Sequence, residues 1–355
     1  MRNLMVTGGC GFIGSNFIRY LLRQRDFSGR IINIDALTYA GNPDNLKGLE
    51  EEYPGRYIFH RADICNFELA EQIFTEYHCD AICHFAAESH VDRSIKRPDA
   101  FINTNIVGTF NLLEIARLHA DSLDLFHHIS TDEVYGSLGE TGQFVETTPY
   151  RPNSPYSASK ASSDHLVRAY HETYGLPTTI SNCSNNYGPY QFPEKLIPLV
   201  VLNALQWEKL PVYGDGKNVR DWLYVEDHCD AIWTIMKSGR RGETYNIGGN
   251  TEVENIRIVE MICDILDDIP DRRENRSRRD LITFVEDRPG HDRRYAIDFS
   301  KLSGELNWFP RESFESGMQK TISWYLDNSE WVQRIQNKEY RSWINEQYGQ
   351  VQTEE

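Results

Sequence analysis

Short apolar runs alternate with longer segments of helical periodicity along the first half of the chain. Each run has the length of one strand and is followed by glycine, small or acidic residues. A strand–helix repeat of this kind is typical of a parallel sheet with helices on both faces. The pattern therefore predicts an α/β fold with a Rossmann-like, doubly wound parallel sheet. The predicted strands cover residues 3–7, 31–35, 57–60, 81–85, 125–129 and 178–182.

The turn after the first strand is rich in glycine. Gly8, Gly11 and Gly14 have the spacing G-x-x-G-x-x-G and precede an amphipathic helix. Glycine there permits a tight turn and the close approach of a pyrophosphate, which a helix N-terminus attracts. Asp35 ends the second strand 21 positions after Gly14, where an acid accepts hydrogen bonds from the adenosine ribose. Because no arginine follows at 36–38 to receive a 2′-phosphate, the motif favours NAD over NADP.

A second group of polar side chains follows the fifth predicted strand. Thr131, Asp132 and Glu133 come just after it, where open α/β sheets bind their ligands. Tyr156 and Lys160 are four residues apart on the next predicted helix, and so share one face of it. Without that Tyr–Lys pair, the two carboxylates would be interpreted as an ordinary polar loop. Together these side chains predict acid–base chemistry on a small molecule.

Composition narrows the class of protein. The chain has 355 residues, 40% hydrophobic and 25% charged, with a net charge of −16. These values are typical of a soluble globular protein and argue against nucleic acid as a partner. No signal peptide and no apolar run of the roughly 20 residues that span a bilayer is visible. The seven cysteines lack a C-x-x-C pair, so we expect free thiols in a reducing cytoplasm and no metal site.

With these motifs, the chain resembles the NAD-dependent nucleotide-sugar 4,6-dehydratases of the extended short-chain dehydrogenase/reductase family. The resemblance covers nearly the whole chain. The glycine loop and the Tyr-x-x-x-Lys pair mark the superfamily, whereas Asp132-Glu133 after Thr131 is specific to the dehydratases. Further motifs that carry the resemblance lie at 86–94, 185–190, 193–195 and 288–292.

The resemblance implies conversion of dTDP-D-glucose to dTDP-4-keto-6-deoxy-D-glucose and water. The steps are oxidation at C4, elimination across C5 and C6, and return of the hydride to C6. Tyr156 would be the base toward the 4-hydroxyl, with Lys160 holding the nicotinamide ribose. Asp132 would be the acid for the leaving 6-hydroxyl, Glu133 the base at C5, and Thr131 would position the 4-oxygen. We expect Lys160 and the positive nicotinamide ring to lower the pKa of Tyr156.

The resemblance also implies larger binding sets and an assembly. A homodimer would form through helices near 99–118 and 155–174, packed as a four-helix bundle. The implied NAD-binding residues are Gly8, Gly11, Phe12, Ile13, Gly14, Asp35, Leu37, Thr38, Asp63, Ile64, Phe85, Ala86, Ala87, Thr104, Ser130, Tyr156, Lys160 and Asn186. The implied substrate-binding residues are Ser89, Thr131, Asn185, Lys195, Leu196, Pro211, Tyr213, Arg220, Asn255, Arg288, His291 and Tyr348.

The character of the chain changes near residue 185. The segment 185–195 is rich in Asn, Pro, Gly and aromatic residues, which is typical of a loop. We therefore assign residues 1–184 to an NAD-binding domain, to which 222–250 return. Residues 185–221 and 251–355 would form the nucleotide-sugar-binding lobe.

Other functions remain as alternatives at this point. A UDP-glucose 4,6-dehydratase differs only in the nucleobase, which the sequence leaves open. A 4-epimerase or a decarboxylase also oxidises C4, but neither expels the 6-hydroxyl, so Asp132-Glu133 argues against both. An NAD-binding regulator without activity would have no reason to retain Thr131, Tyr156 and Lys160 together with these carboxylates.

Overall fold

The computed structural model describes residues 1–269, 276–287 and 290–336. A seven-stranded, all-parallel sheet lies at its centre, in the order β10-β6-β5-β4-β1-β2-β3. The strands are β1 (Asn3–Thr7), β2 (Arg30–Asp35), β3 (Tyr57–Arg61), β4 (Ala81–His84), β5 (Leu125–Thr131), β6 (Thr178–Cys183), β7 (Asn185–Tyr187), β8 (Leu210–Tyr213), β9 (Val219–Tyr224), β10 (Thr244–Ile247), β11 (Glu252–Glu254) and β12 (Ile282–Val285).

Helices cover both faces of this sheet, which confirms the predicted doubly wound α/β fold. The α-helices are α1 (Phe12–Arg23), α2 (Leu49–Glu52), α3 (Phe67–Glu76), α4 (Val91–Lys96), α5 (Pro98–Phe101), α6 (Thr109–Leu118), α7 (Pro155–Tyr174), α8 (Leu196–Gln206), α9 (Val225–Ser238), α10 (Asn255–Asp267), α11 (Ser300–Leu306), α12 (Phe314–Asp327) and α13 (Ser329–Ile335). Within the described ranges, none of the helices is long and apolar enough to cross a membrane.

The alternation of side chains along β1 explains why this strand is apolar throughout. Leu4 and Val6 pack on one face of the sheet with residues of α1 and α9. Met5 packs on the other face with residues of α3, α6 and α7. A parallel strand buried on both faces has no polar side, so its sequence shows a continuous apolar run.

The fifth strand is longer than predicted. It extends from 125 to Thr131, because Ser130 pairs with Asn182 and Thr131 pairs with Cys183 of β6. Thr131 therefore belongs to the sheet, and Asp132 is the first residue beyond its carboxyl edge. The catalytic candidates start from a rigid element rather than from a loop.

The helix predicted over 99–118 is interrupted. Residues Ile102–Gly108 form a π-helical segment between α5 and α6. In this segment the buried Asn105 side chain donates to the Glu88 carbonyl at 3.0 Å and accepts from the Glu88 amide at 2.9 Å. Its amide also donates to Ser159 Oγ at 2.8 Å, so the segment links the 86–89 loop to α7. Such π turns frequently occur at functional sites.

The helix after the second polar group is as predicted. It spans Pro155–Tyr174, begins with a reciprocal capping box between Ser154 and Ser157, and ends at Gly175, which has a left-handed φ of 69°. This helix fixes the direction in which Tyr156 and Lys160 face the sheet.

Residues beyond β6 build smaller elements beside the main sheet. β7, β9 and β11 form a three-stranded sheet, and β8 pairs with β12. A separate apolar cluster joins residues of α8, α10, α12 and α13. β10 pairs with β6 at the edge of the main sheet. The division into an NAD-binding domain (1–184 with 222–250) and a nucleotide-sugar lobe stays a prediction that these contacts favour.

Candidate active site

A cavity of about 310 Å³ opens at the carboxyl ends of the parallel strands. It lies beside the boundary between β1 and β4, where the strand order reverses, and ligands of doubly wound sheets bind at such a point. The turn between β1 and α1 closes one end of it, and residues 183–195 close another part of its wall. Nearly all predicted cofactor residues and all five catalytic candidates line this one cavity.

The glycine turn is shaped to bring backbone close to a ligand. Gly8 has a φ of +70°, and a Cβ on it would lie 2.6 Å from the backbone of Ala86. A Cβ on Gly14 would lie 2.4 Å from the carbonyl oxygen of Gly8. α1 begins here without a side-chain cap and without an acid in its first turn. Its unpaired N–H groups and its dipole therefore fit a pyrophosphate.

Asp35 lies at the end of β2, with its side chain nearly buried. One carboxylate oxygen accepts from the Cys10 amide at 2.9 Å, and the other from the Leu37 amide at 2.8 Å. Burial raises the pKa of Asp35, while these two hydrogen bonds oppose the rise. Each oxygen keeps a second lone pair toward the cavity, as a ribose diol requires. The donor and acceptor set therefore fits NAD.

One predicted cofactor residue, Leu37, does not line the cavity. Its amide is used by Asp35, and its side chain packs against the apolar cluster of α1 and α9. The cavity is lined by the predicted cofactor residues Gly8, Gly11, Phe12, Ile13, Gly14, Asp35, Thr38, Asp63, Ile64, Phe85, Ala86, Ala87, Thr104, Ser130, Tyr156, Lys160 and Asn186.

Thr131, Asp132 and Glu133 are held together by the turn that follows β5. Asp132 and Glu133 begin a short 3₁₀ helix, Asp132–Tyr135, and Thr131 Oγ1 caps it by accepting from the Glu133 amide at 3.3 Å. The turn ends at Gly136, where φ is +90° and a Cβ would lie 2.5 Å from the Arg151 carbonyl oxygen. Only glycine fits that turn, which sets the position of both carboxylates.

Asp132 is a buried carboxyl next to Glu133. Its side chain is fully buried; Oδ1 accepts from Thr131 Oγ1 at 3.4 Å, and Oδ2 has no partner among the described residues. Burial, and then the neighbouring Glu133 and Asp221, raise the pKa of Asp132 well above its usual range. This environment favours the protonated form of Asp132, which is the form that an acid catalyst requires.

Tyr156 stands next to this group, and its environment differs from the expected one. Burial and then Glu133 raise the pKa of Tyr156 well above 10, and the hydrogen bond with Thr131 only partly opposes them. Lys160 is not among the main influences on that pKa. Its Nζ instead donates to the Ile129 carbonyl at 2.8 Å, and burial lowers the pKa of Lys160 to about 8. The environment of Tyr156 therefore does not by itself favour the phenolate.

The predicted substrate residues fall into two groups. Ser89, Thr131, Asn185 and Lys195 line the cavity, and Lys195 Nζ donates to the Ser89 carbonyl at 3.3 Å. The others that the structure describes lie outside its lining: Leu196, Pro211, Tyr213, Arg220, Asn255 and His291. Arg288 and Tyr348 fall outside the described residues.

The second group surrounds β8, β9 and the segment 290–295. The ring centres of His291 and Tyr213 are 6.2 Å apart, and the two rings are nearly perpendicular. Pro211 lies on the same strand as Tyr213. Asn255 starts α10, and its amide donates to the Asn218 carbonyl. Leu196 instead starts α8 and packs on the apolar cluster of the smaller elements.

Arg220 connects this second group to the reactive carboxylates. Its Nη2 donates to the Asp292 carbonyl at 2.8 Å, and its guanidinium lies 4.3 Å from the ring centre of Tyr295. The charge of Arg220 lowers the pKa of Asp132, which places the guanidinium near the acid. Arg220 therefore links the second group electrostatically to Asp132.

Two buried acids at the site were not predicted as site residues. Glu194 lines the cavity with its Oε2 3.5 Å from Arg93 Nε, and burial raises its pKa to about 7. Asp164 lies behind Lys160. The available signals were the Pro193-Glu194-Lys195 motif and the four-residue spacing from Lys160 to Asp164.

A glycine turn at the switch point of a parallel sheet, together with a Tyr–Lys pair facing the end of the fifth strand, defines a dinucleotide-dependent enzyme with the architecture of the short-chain dehydrogenases. The model for the family of GDP-mannose 4,6 dehydratase matches residues 5–321. The chain is 57% identical to a dTDP-glucose 4,6-dehydratase of Xanthomonas campestris pv. campestris (strain B100), over 96% of this chain and 98% of the relative.

Two further relatives agree. dTDP-glucose 4,6-dehydratase 1 of Escherichia coli (strain K12) is 54% identical over 97% of this chain and 98% of its own. A crystal structure of dTDP-glucose 4,6-dehydratase from Bacillus anthracis str. Ames in complex with NAD superposes with a TM-score of 0.84 and 48% identity, covering 94% of this chain and 100% of that one. The chain therefore belongs to the nucleotide-sugar 4,6-dehydratase family and, within it, groups with the dTDP-glucose 4,6-dehydratases.

Proposed function

We propose that this protein converts dTDP-D-glucose to dTDP-4-keto-6-deoxy-D-glucose and water, as a hydro-lyase with NAD as its cofactor. The observation that carries the proposal is the buried Asp132, whose pKa is raised, beside Glu133 and within the same group as Thr131 and Tyr156. Epimerisation or decarboxylation would need Tyr156 but not this acid. An elimination needs both an acid and a base.

The glycine turn and the N-terminus of α1 would hold the pyrophosphate of NAD, and Asp35 would hold the adenosine ribose. Lys160 would bind the nicotinamide ribose from the opposite wall. NAD bound there would take up a hydride from C4 of the sugar, return it to C6 after water has left, and supply the positive charge that favours the phenolate of Tyr156.

The side chains divide the proton transfers among themselves. Tyr156 takes the proton of the 4-hydroxyl, and Thr131, which already hydrogen-bonds Tyr156, holds the 4-oxygen. A ketone at C4 makes the C5 proton acidic, so a carboxylate can remove it; we assign this step to Glu133. Asp132 gives its proton to the departing 6-hydroxyl. The raised pKa of Asp132 favours the acid form that its step requires, whereas Tyr156, whose pKa is also raised, would need the positive charge of bound NAD to act as a base.

The nucleotide end of the substrate extends, in this proposal, from Ser89, Asn185 and Lys195 toward Arg220 and the region of Tyr213 and His291. Arginine and lysine are the residues that bind a diphosphate in a chain whose net charge is −16. Arg288 and Tyr348 stay predictions, as does the preference for thymine over uracil.

We also propose a homodimer. Large apolar side chains are exposed along the segment from the π-helix into α6: Ile102 (47%), Val107 (41%) and Phe110 (44%). This segment packs beside α7, so the two helices offer one face to a second copy and could form the predicted four-helix bundle. The seven cysteines are free thiols, which supports the expected location in a reducing cytoplasm.

The direct test is incubation of the purified protein with dTDP-glucose, without added NAD. We expect a 4-keto-6-deoxy sugar nucleotide, identified by its absorbance in strong alkali and by NMR. UDP-glucose under the same conditions serves as the comparison for the nucleobase. A galactose or pentose product, or no product with NAD added, would contradict the proposal.

A further inference from the structure

A buried polar cluster adjoins Lys160 and reaches the cavity at Ser130. We refer to His128, Ser130, Tyr150 and Asp164 as the Asp164 cluster. Asp164 and His128 are fully buried, at 2% and 0% exposure, and Asp164 does not line the cavity. The proposed reaction steps above do not use Asp164 or His128.

Asp164 is held from two sides. Its Oδ2 accepts from Ser130 Oγ at 2.8 Å and from the Tyr150 hydroxyl at 2.9 Å. Its Oδ1 lies 3.3 Å from His128 Nε2. The Tyr150 hydroxyl in turn accepts from Asn182 Nδ2 at 3.3 Å. Two hydroxyl donors on one oxygen stabilise the charged form of a carboxylate.

His128 connects this carboxylate to the lysine. Its Nε2 lies 3.3 Å from Lys160 Nζ as well as from Asp164 Oδ1. Burial lowers the pKa of His128 well below its usual value, so the ring is neutral. A neutral Nε2 either donates to Asp164 or accepts from Lys160, but it cannot neutralise either charge. The compensation of the lysine must therefore come from Asp164.

The helix explains why the three groups are aligned. Tyr156, Lys160 and Asp164 occupy positions i, i+4 and i+8 of α7, which share one face. Lys160 is 4% exposed, and a buried ammonium loses its proton unless an opposite charge opposes desolvation. Tyr156 and the ribose need that ammonium on one side, and Asp164 supports it from the other.

We propose that Asp164 is the counter-ion that keeps Lys160 protonated, and hence a positioning residue for the dehydrogenation step. The inference rests on the proposed function for its kinetic consequences. Its physical content, the charge of Lys160, does not depend on the substrate.

The pH behaviour follows from the groups around the pair. Asp164 raises the pKa of Lys160 against burial, leaving it at about 8. Burial raises the pKa of Asp164 to about 6, against Lys160, Ser130 and Tyr150. Both charges are thus present between these values: below them Asp164 gains a proton, and above them Lys160 loses one. The other titratable groups facing the pair are His128 on β5, Cys183 on β6, His165 on α7, and His84 on β4 beyond His128.

The decisive variant is Asp164→Asn, which keeps an acceptor for Ser130 and Tyr150 but removes the charge. Without that charge, the pKa of Lys160 falls further, and the basic limb of the kcat–pH profile moves to lower pH. We expect a shift of at least about one unit, hence a loss in kcat of roughly fivefold or more at pH 8. The loss should shrink toward pH 6.5, with KM little changed, and Asp164→Glu should restore part of the profile.

Tyr150→Phe provides a second variant that keeps the buried charge. Removal of a donor raises the pKa of Asp164, so the acidic limb of the profile should move toward neutral pH while the basic limb stays. The matched control is Tyr170→Phe, which removes a hydroxyl on the same helix that donates to Glu114, away from Lys160. Its profile should be that of the parent. If Asp164→Asn does not fold, the comparison of the pH profiles of Tyr150→Phe and Tyr170→Phe provides the test.

A readout without turnover separates this inference from the proposed function. In protein labelled with 13C at lysine Cε, the Lys160 signal, assigned by its loss in Lys160→Met, should titrate at lower pH in Asp164→Asn than in the parent. An unchanged titration of Lys160, or a kcat lowered by one factor at every pH, would overturn the inference. A parent that forms no 4-keto sugar would overturn only the proposed function, because the Lys160 titration still tests the pair.

Discussion

The dinucleotide half and the substrate half of the cleft present different parts of the polypeptide to their ligands. The dinucleotide half consists of backbone at the ends of parallel strands, with Gly8 and Gly14 in van der Waals contact with their surroundings. The substrate half, as we propose it, is built from side chains of segments far apart in sequence: Lys195 lines the cavity, and Arg220 lies outside its lining. The first is rigid before any ligand arrives, while the second depends on a few side-chain hydrogen bonds.

The two halves meet at Thr131, Asp132, Glu133 and Tyr156. Because these residues stand on the last position of β5, on the turn after it and on α7, they combine a rigid support with access to the substrate. Substitutions at the meeting point should therefore lower kcat, those in the dinucleotide half should release the cofactor, and those in the substrate half should raise KM.

The largest effect is expected at Tyr156. Tyr156→Phe removes the base for the 4-hydroxyl, and a positioned acid or base contributes about 10²- to 10⁴-fold, so we expect a loss in kcat near the top of that range. Neither product nor a 4-keto intermediate should form in a rapid-quench experiment. Retention of NAD through gel filtration is the control, since Asp35 and the glycine turn are unchanged.

Asp132→Asn should separate the two chemical stages. The amide cannot donate a proton to the 6-hydroxyl, so dehydration should slow by roughly 10²- to 10³-fold while oxidation at C4 proceeds. A 4-keto-glucose nucleotide should therefore accumulate in quenched samples, as it would not in Tyr156→Phe. Equal loss of both stages in the two variants would refute the division of roles.

A smaller, selective effect is expected from Asp35→Arg. The change removes an acceptor for the ribose and the partner of two backbone amides. We expect NAD to dissociate on dialysis, with affinity lower by at least about tenfold, one hydrogen bond to a charged group being worth about 1.5–3 kcal/mol. Saturating NAD should restore the KM for the sugar nucleotide. Parent-like NAD retention would contradict the role of Asp35.

The smallest effect, confined to the substrate half, is expected from Arg220→Met. Loss of the guanidinium should raise KM about tenfold and leave bound NAD unchanged. Arg293→Met is the matched control, because Arg293 forms an exposed ion pair with Asp215 nearby. An exposed pair contributes little. If both variants raised KM equally, Arg220 would act only through the net positive charge of this region and not through its own contact with the substrate.

The same contrast explains what could be predicted from the sequence. The dinucleotide half depends on local signals, such as glycine spacing and an acid at a strand end, and every residue predicted to bind NAD except Leu37 lines the cavity. Leu37 has a left-handed φ of 56°, and its backbone amide donates to Asp35. Its side chain therefore packs on the apolar cluster of α1 and α9.

The remaining features depend on contacts between distant segments, which no local pattern reports. The approach of Arg220 to the 290–295 segment is of this kind. So is the burial of Glu194 against Arg93, about 100 positions away. The π turn at 102–108 depends on Asn105 meeting Glu88 and Ser159, a tertiary cause that helical periodicity does not show. The role inferred for Asp164 likewise needed the buried neighbours on β5.

The central claim, that one closed site oxidises C4 and reduces C6 with an elimination between, is tested most directly by following isotopes. A mixture of substrate deuterated at C4 and unlabelled substrate should give product with deuterium at C6. Only the product molecules that were formed from deuterated substrate should carry this label. In D₂O the same product should gain deuterium at C5, since Glu133 exchanges its proton with solvent. Deuterium that stays at C4, or that is scrambled between molecules, would contradict the claim.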